Sequence, residues 1–109
     1  MDKIKAITKR PGGKPVSTWI SPSLENLQRY VGGYIEVYGI TPVGFNSHLV
    51  VISDEDGKLK GYEHNCYLEG HEFVGDIIIC GTKDGEFVDL PLTWYKMKEL
   101  YPLLWKEDL

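Results

Sequence analysis

One stretch, residues 24–37, constrains the fold more than any other because it joins a short amphipathic helix directly to a strand. Leu24, Leu27 and Val31 recur at positions i, i+3 and i+7, which places them on one helix face. Gly32 predicts the end of the helix, since glycine readily adopts the left-handed conformation of a helix C-cap. A domain containing this stretch must therefore pack a helix against a sheet.

The strand that follows the helix is predicted to expose one polar face. The strand spans residues 34–38, where Ile35 and Val37 alternate with polar or aromatic residues and are expected to face the helix. The opposite face carries two tyrosines flanking a carboxylate: Tyr34, Glu36 and Tyr38. We take these three as candidate binding residues, with an ordinary solvated sheet face as the alternative.

Composition limits the class of protein. A chain of 109 residues with 42% hydrophobic and 26% charged residues predicts a single globular domain over residues 1–109. The net charge of −4 and the pI near 5.3 disfavour a nucleic-acid partner, which usually requires a basic surface. Neither an apolar membrane-spanning run nor a signal peptide is evident, which predicts no membrane association and a cytoplasmic location in a bacterial host cell. Cys66 and Cys80 are then expected to be free thiols.

Alternating and apolar runs predict the remaining elements. Strands are expected at Lys3–Thr8, Val16–Ile20, His48–Ser53, Lys58–Tyr62, Phe73–Cys80 and Glu86–Leu90. Two segments are predicted to be irregular: 39–47 and 63–72. Thr93–Lys106 is predicted to be helical, with a break at Pro102. Core positions are predicted at Leu24, Leu27, Val31, Ile35, Val37, Val50, Ile52, Leu59, Ile77, Ile79 and Leu100.

These elements predict a single α+β domain. Its sheet is expected to be mainly antiparallel, with a mixed sheet as the alternative, and to pack against one short helix. A C-terminal helix closes the sheet or an interface. The central strands are expected to be those containing Val50 and Ile78, because both runs are apolar on both faces.

Residues 62–71 hold most of the chemically reactive side chains. His64, Cys66 and His71 could hold zinc or activate a thiol, but their spacing matches no known paired ligand pattern. A polar loop of common residues is the simpler interpretation, so we assign no metal ligand and no catalytic residue and predict no cofactor. Tyr62 and Asn65 are added to the candidate binding residues because they lie in this same segment.

The last 16 residues are rich in aromatic side chains. These are Trp94, Tyr95, Tyr101 and Trp105. Tryptophan and tyrosine are frequent at interaction hot spots, so this segment could contact a partner or form a homodimer. Packing of the same side chains onto the sheet is the alternative.

Several sequence blocks follow one another in the order seen in a known family. They are Leu27-Gln-x-x-Val-Gly-Gly-Tyr-Ile-Glu36, Asp56-Gly-Lys-Leu-Lys-Gly61, Asn65, and Gly75 followed by Gly81-x-x-Asp-Gly-Glu-Phe-Val88. In these blocks the chain resembles a family of short proteins from bacteriophages and bacterial mobile elements catalogued as a domain of unknown function. The resemblance covers about residues 3–92 and leaves an aromatic-rich tail at 93–109. It implies a phage or mobile-element origin, no established activity and no catalytic residues.

Three functional hypotheses follow. The first is a non-enzymatic accessory protein that binds and modulates a host or phage protein through a surface joining Tyr34, Glu36 and Tyr38 to the 62–71 segment. The second is a small-molecule binder, such as a protein that sequesters a nucleotide signal, with contributions from Tyr34, Tyr62, Asn65 and Arg29. The third is a small metal-dependent hydrolase using His64, Cys66 and His71. The missing catalytic motifs favour a protein that is not an enzyme.

Overall fold

A computed structural model describes residues 2–106 of the chain. In chain order the strands are β1 (Ile4–Lys9), β2 (Val16–Ile20), β3 (Ile35–Gly44), β4 (Ser47–Asp54), β5 (His64–Leu68), β6 (His71–Val74), β7 (Ile77–Lys83) and β8 (Glu86–Val88). The α-helices are α1 (Leu24–Val31), which precedes β3, and α2 (Trp94–Leu100), which follows β8. A short 3-10 helix over Pro102–Trp105 follows α2.

The strands form one large antiparallel sheet and one small hairpin. The order in the large sheet is β2-β1-β7-β4-β3, and β8 pairs with the end of β7. Strands β5 and β6 pair only with each other. All strand pairs are antiparallel, and β4 and β7 lie at the centre of the order. The predicted α+β class, the N-terminal hairpin and the apolar character of the two central strands are confirmed. The predicted strand Phe73–Cys80 is wrong in its bounds, because Phe73 and Val74 belong to β6 and β7 begins only at Ile77.

The large sheet is covered on both faces, which explains why its central strands are apolar throughout. Helix α1 covers one face, and its buried residues Leu27 and Val31 pack with Ile52 and Ile78. The β5–β6 hairpin and the C-terminal segment cover the other face. The second core contains Ile7, Leu49, Val51, Cys66, Leu68, Phe73, Ile77, Ile79, Met97, Tyr101 and Leu104.

Helix α1 has the predicted bounds but buries less than predicted. The Ser23 side chain accepts a hydrogen bond from the N–H of Asn26 at 3.2 Å, and Gly32 ends the helix in the left-handed region with φ 95°. Leu24 is 58% exposed, so the core prediction was wrong there. The predicted core positions Leu27 and Val31 are confirmed, so only the first residue of the helix lies outside the contact with the sheet.

The predicted strand Lys58–Tyr62 is wrong, because this segment forms consecutive turns. The N–H groups of Lys60, Gly61 and Tyr62 donate to carbonyls three to five residues earlier in the chain, so no strand partner is needed. Leu59 therefore points outward and is 90% exposed rather than in the core.

Two other core predictions fail because of strand and helix position. Val37 is 43% exposed, since β3 is the outermost strand of the sheet and α1 covers it incompletely. Leu100 is 45% exposed because Met97 and Tyr101 form the buried side of α2 and its C-cap. The predicted end of the helix near Tyr101 and the break at Pro102 are confirmed.

Both segments predicted to be irregular contain strands. Strand β3 continues to Gly44 through two register shifts, and the turn at Phe45–Asn46 leads into β4. The 63–72 segment contains β5 and the first half of β6, joined by a turn in which Glu69 and Gly70 have φ 50° and 76°. Two successive positive φ values are typical of a two-residue hairpin turn, so this segment is a hairpin.

Candidate functional site

Two of the predicted binding residues, Tyr34 and Glu36, lie at the start of β3 on an exposed, acidic part of the molecule. Tyr34 is 69% exposed, and Glu36 is also exposed. Glu36 pairs with Ser53 of β4, which alternation places on the same face as Val51, so Glu36 lies on the sheet face that carries the β5–β6 hairpin. A recess of about 230 Å³ lies beside Glu36 and includes Leu59 and Glu72 in its lining. We define the β3-edge face as Tyr34, Glu36, Glu55, Leu59 and Glu72.

Charge on the β3-edge face is negative. Glu36 and Glu55 are exposed. Glu72 is partly neutralised, because one carboxylate oxygen lies 2.7 Å from His64 Nδ1 and the other lies 3.9 Å from Lys58 Nζ. The exposed leucine adds an apolar group to this acidic surface. The arrangement can bind a basic group through the carboxylates and an apolar group beside Leu59.

Tyr38 lies in β3 but packs against β6. Its ring stacks on the His71 imidazole with a centroid distance of 4.1 Å and meets the Phe73 ring edge-on at 5.7 Å. These contacts join β3 to β6 and leave Tyr38 half-buried. The structure thus brings Tyr38 and the 62–71 segment together, as the sequence predicted, but as a packing contact.

Asn65 is placed away from the surface. It is 2% exposed, and its side-chain amide donates to the carbonyl oxygens of Lys9 and Gly75 at 2.9 and 2.7 Å. Its side-chain oxygen accepts from Lys9 Nζ at 2.9 Å. Because its polar atoms are engaged within the chain, Asn65 anchors the hairpin to β1 and offers no contact to a partner.

Tyr62 is packed against two glycines, Gly32 and Gly75, that belong to the blocks carrying the family resemblance. A Cβ atom on Gly32 would lie 2.7 Å from the Tyr62 hydroxyl, and a Cβ on Gly75 would lie 2.6 Å from its ring. On Gly33 a Cβ would lie 2.6 Å from Lys60 Nζ and 2.7 Å from an Asp54 carboxylate oxygen. The Val31–Glu36 and Asp56–Gly61 blocks therefore meet in space and require glycine at the contact.

A buried carboxylate organises this contact. Asp54 accepts hydrogen bonds from Lys60 Nζ at 2.7 Å and from the N–H of Asp56 at 2.9 Å, and Lys60 also donates to the Gly32 carbonyl. Burial raises the pKa of Asp54, but hydrogen bonds from Lys60, Asp56 and Tyr62 outweigh burial and lower it overall. The same hydrogen bond raises the pKa of Lys60. The pair stays ionised at neutral pH and fixes the end of α1.

The residues considered for metal or thiol chemistry point in different directions. His64 contacts Glu72 and Tyr67, whereas Cys66 is buried in the core and His71 stacks on Tyr38. Residues 2–106 contain no group of three or more His, Cys, Asp and Glu side chains placed to hold a metal ion. The second thiol, Cys80, lies in the core on the α1 face, where burial raises its pKa to about 12.

A groove that the sequence did not reveal lies between α1 and the β1–β2 hairpin. The cavity directly between these elements has a volume of about 580 Å³, and we call it the main cavity because Arg29 on α1 and Thr18 on β2 both line it; it adjoins two others of about 590 and 320 Å³. Arg10 lines all three cavities, Tyr30 lines two, and Asp76 lines two. We define the Arg10 groove as Thr8, Arg10, Thr18, Arg29, Tyr30 and Asp76.

Only part of the residue set predicted for a small molecule lies near the Arg10 groove. Arg29 lines the main cavity, and Tyr62 lines the adjoining one, whereas Tyr34 and Asn65 line neither. Arg10 was not among the candidate residues predicted from the sequence. The signal that could have found it is its position at the end of β1, where alternation places it on the same face as Ala6 and Thr8.

The C-terminal aromatic residues mostly pack within the molecule. Trp94 and Trp105 meet edge-on with centroids 5.1 Å apart, and both pack against the second core. Tyr101 is 9% exposed and donates a 3.2 Å hydrogen bond to Glu69. Tyr95 is 83% exposed and is the member of the set left for an external contact.

Comparison with known proteins gives the family. Residues 4–101 match the family described as a domain of unknown function (DUF3846). The chain belongs to this family. The match extends through α2, beyond the end of the resemblance seen in the sequence. No curated protein and no solved structure shows a significant match to the chain. Among residues 2–106, none of the helices combines the length and apolar character needed to span a bilayer.

Proposed function

We propose that the protein is a non-enzymatic binding domain that attaches to a protein partner through the β3-edge face. In this proposal it is an accessory protein of a phage or mobile element and acts in the cytoplasm of a bacterial host. The observation that carries the proposal is Leu59, which is 90% exposed beside the recess lined by Glu36 and Glu72. Covering such a side chain contributes roughly 25 cal/mol for each Å² of apolar surface removed from water.

The charge of the face defines the chemistry of the partner. Carboxylates of Glu36 and Glu55 favour a basic segment, and Leu59 and Tyr34 favour an apolar side chain within that segment. A protein that normally binds nucleic acid would present such a surface. Complementary charge would also speed association at low salt.

The backbone of β3 adds a second means of attachment. Strand β3 ends the order of the large sheet, and its register with β4 is regular from Ile35 to Gly39 before the first shift. An extended partner segment could add a strand along this regular part, with hydrogen bonds from the backbone and contacts from alternate side chains. The register shifts beyond Gly39 would limit such pairing to a short length.

The hydrolase hypothesis is not carried forward. Its three residues, His64, Cys66 and His71, have different surroundings, and Cys66 is buried. A shared reaction centre requires these side chains to converge within hydrogen-bond or ligand distance.

The test compares two double variants with the same change of charge. Glu36→Lys/Leu59→Ser alters the β3-edge face, and Glu99→Lys/Leu103→Ser alters exposed positions in the C-terminal segment. The native protein and each variant would be used to capture partners from host cells, and the recovered partner would then be purified and titrated. We expect the first variant to weaken binding about 30-fold or more and the second to leave it within about threefold. Equal binding by both variants, or equal loss, contradicts the proposal.

A further inference from the structure

The Arg10 groove carries charges that suit a phosphorylated ligand. Arg10 is exposed and makes no ion pair with any of residues 2–106, although it lines each of the three adjoining cavities. Arg29, across the main cavity on α1, is exposed and makes a 3.0 Å ion pair with Glu25 one helical turn earlier, and a surface pair of this kind leaves the guanidinium accessible to a phosphate. Guanidinium groups bind phosphate oxygens through paired hydrogen bonds, so two of them at one cavity favour a phosphate.

The other side chains that line the groove can contact a ligand that has an organic group attached to the phosphate. Tyr30 presents an aromatic side chain that is only half-buried, and Thr18 contributes a hydroxyl from β2. Asp76 lies between the main cavity and its neighbour and would repel an additional phosphate. A carboxylate in this position instead favours a group that donates hydrogen bonds, such as an amino or ring N–H group of a base.

These observations point to one class of ligand, and we propose that the Arg10 groove binds a free nucleotide. Its phosphates contact Arg10 and Arg29, its base lies against Tyr30, and donors on the base edge face Asp76. The volume of the main cavity, about 580 Å³, falls within the range of roughly 300–1,000 Å³ for small-molecule sites.

The Arg10 groove is separate from the β3-edge face. The groove lies on the α1 side of the sheet at the β1–β2 edge, whereas Glu36 lies on the other side at the β3 edge. A partner protein and a nucleotide would therefore occupy separate surfaces. Failure of either proposal leaves the other standing.

The experiment is calorimetric titration of the full chain with ATP, GTP, inorganic pyrophosphate, adenosine and a short single-stranded oligonucleotide. Arg10→Gln removes the Arg10 guanidinium, and Lys83→Gln is the matched control because it removes one exposed positive charge at the end of β7, away from the groove. Thr18→Trp fills the groove from β2 and provides a second variant that does not depend on charge. Thermal unfolding of each variant checks that the fold is retained.

We expect ATP or GTP to bind with Kd below about 1 mM and more tightly than either pyrophosphate or adenosine. Arg10→Gln should weaken that binding about tenfold or more, since it removes a charge-assisted contact, whereas Lys83→Gln should leave it within about twofold. Thr18→Trp should abolish it. The proposal is overturned if neither nucleotide binds, if pyrophosphate binds as tightly as the nucleotides, if the oligonucleotide binds more tightly, or if Lys83→Gln weakens binding as much as Arg10→Gln.

Discussion

At the scale of single residues, Gly33 leaves room for the ion pair between Lys60 and Asp54 because it has no side chain. A Cβ there would lie 2.6 Å from Lys60 Nζ and within 2.9 Å of both Asp54 carboxylate oxygens. We predict that Gly33→Ala lowers the free energy of unfolding by about 1–3 kcal/mol, because the ion pair must move to admit the methyl group. Urea unfolding followed by circular dichroism measures the change.

Gly39 provides the matched control for this prediction. It lies on β3, and a Cβ added there would meet no heavy atom within 4 Å. Gly39→Ala should therefore change the free energy of unfolding by less than about 1 kcal/mol and can increase it, since alanine restricts the unfolded chain. Equal destabilisation by both alanines would show that the close approach at Gly33 is not the cause.

Asp54 makes stability depend on pH in a defined direction. Its pKa is lower in the folded chain than its ordinary value of 3.8, so its contribution is present above that value and is lost as pH falls through the folded pKa. We predict that Asp54→Asn lowers the urea midpoint at pH 7 and that the difference from the native chain shrinks below about pH 3.8. Urea titrations at pH 7 and at about pH 3 test this. A difference that stays constant would assign the effect to packing rather than to charge.

At the scale of elements, the β5–β6 hairpin depends on one buried polar contact. Lys9 is 3% exposed, and its ammonium donates to the carbonyl and the side-chain oxygen of Asn65. We predict that Asn65→Ala lowers the free energy of unfolding by about 2–4 kcal/mol, because it leaves buried donors and acceptors without partners. Tyr67→Ala, at a 57% exposed position of the same strand, should cost about 1 kcal/mol or less.

A double-mutant cycle separates this contact from general loss of packing. Lys9→Met removes the buried charge while retaining an apolar stem of similar length. The combined Lys9→Met/Asn65→Ala variant should be more stable than the sum of the single changes implies, since the ammonium is no longer left unpaired. Additive effects would show that Lys9 and Asn65 do not stabilise each other.

Elements with strong local signals were predictable from the sequence. Helix α1 has an apolar stripe and a glycine stop, and the turn at Asp84–Gly85 has the residue pair that a two-residue hairpin turn prefers. Strands β4 and β7 are apolar runs bounded by turns. In each case local propensity and tertiary packing favour the same structure, so the element was predicted. The bounds of β7 were predicted wrongly, because Phe73 and Val74 pair within the β5–β6 hairpin rather than in the large sheet.

Elements that depend on distant contacts were not predictable. Asn65 is a polar residue whose burial is favourable because its side chain bonds to Lys9, 56 residues earlier, and to Gly75, 10 residues later. Leu59 appeared to alternate with lysines as in a strand, but Asp54 and the turns that follow it satisfy the backbone locally. The Arg10 groove depends on the placement of α1 over the sheet, which no local pattern specifies.

At the scale of the whole molecule, a single sheet joins two hydrophobic cores. Leu27 packs in the α1 core and Leu104 in the core under the β5–β6 hairpin, and both are almost completely buried. Central strands contribute to both cores, because adjacent residues such as Ile78 and Ile79 face opposite sides. The C-terminal segment is therefore part of the domain rather than an appended tail.

This arrangement predicts that the domain unfolds in one transition, and that a destabilising substitution in either core lowers the urea midpoint of that same transition. Leu104→Ala should lower the free energy of unfolding by about 2–5 kcal/mol. The control Leu103→Ala, at a neighbouring position that is 60% exposed, should change it by about 0.5 kcal/mol or less. Leu27→Ala should produce a loss of similar size to Leu104→Ala.

For each variant, tryptophan fluorescence reports mainly on Trp94 and Trp105, and far-ultraviolet circular dichroism reports on the sheet. Both probes should give coincident transitions, because β4 and β7 couple the cores, and a fluorescence transition at lower urea would mean that the C-terminal segment detaches before the sheet unfolds.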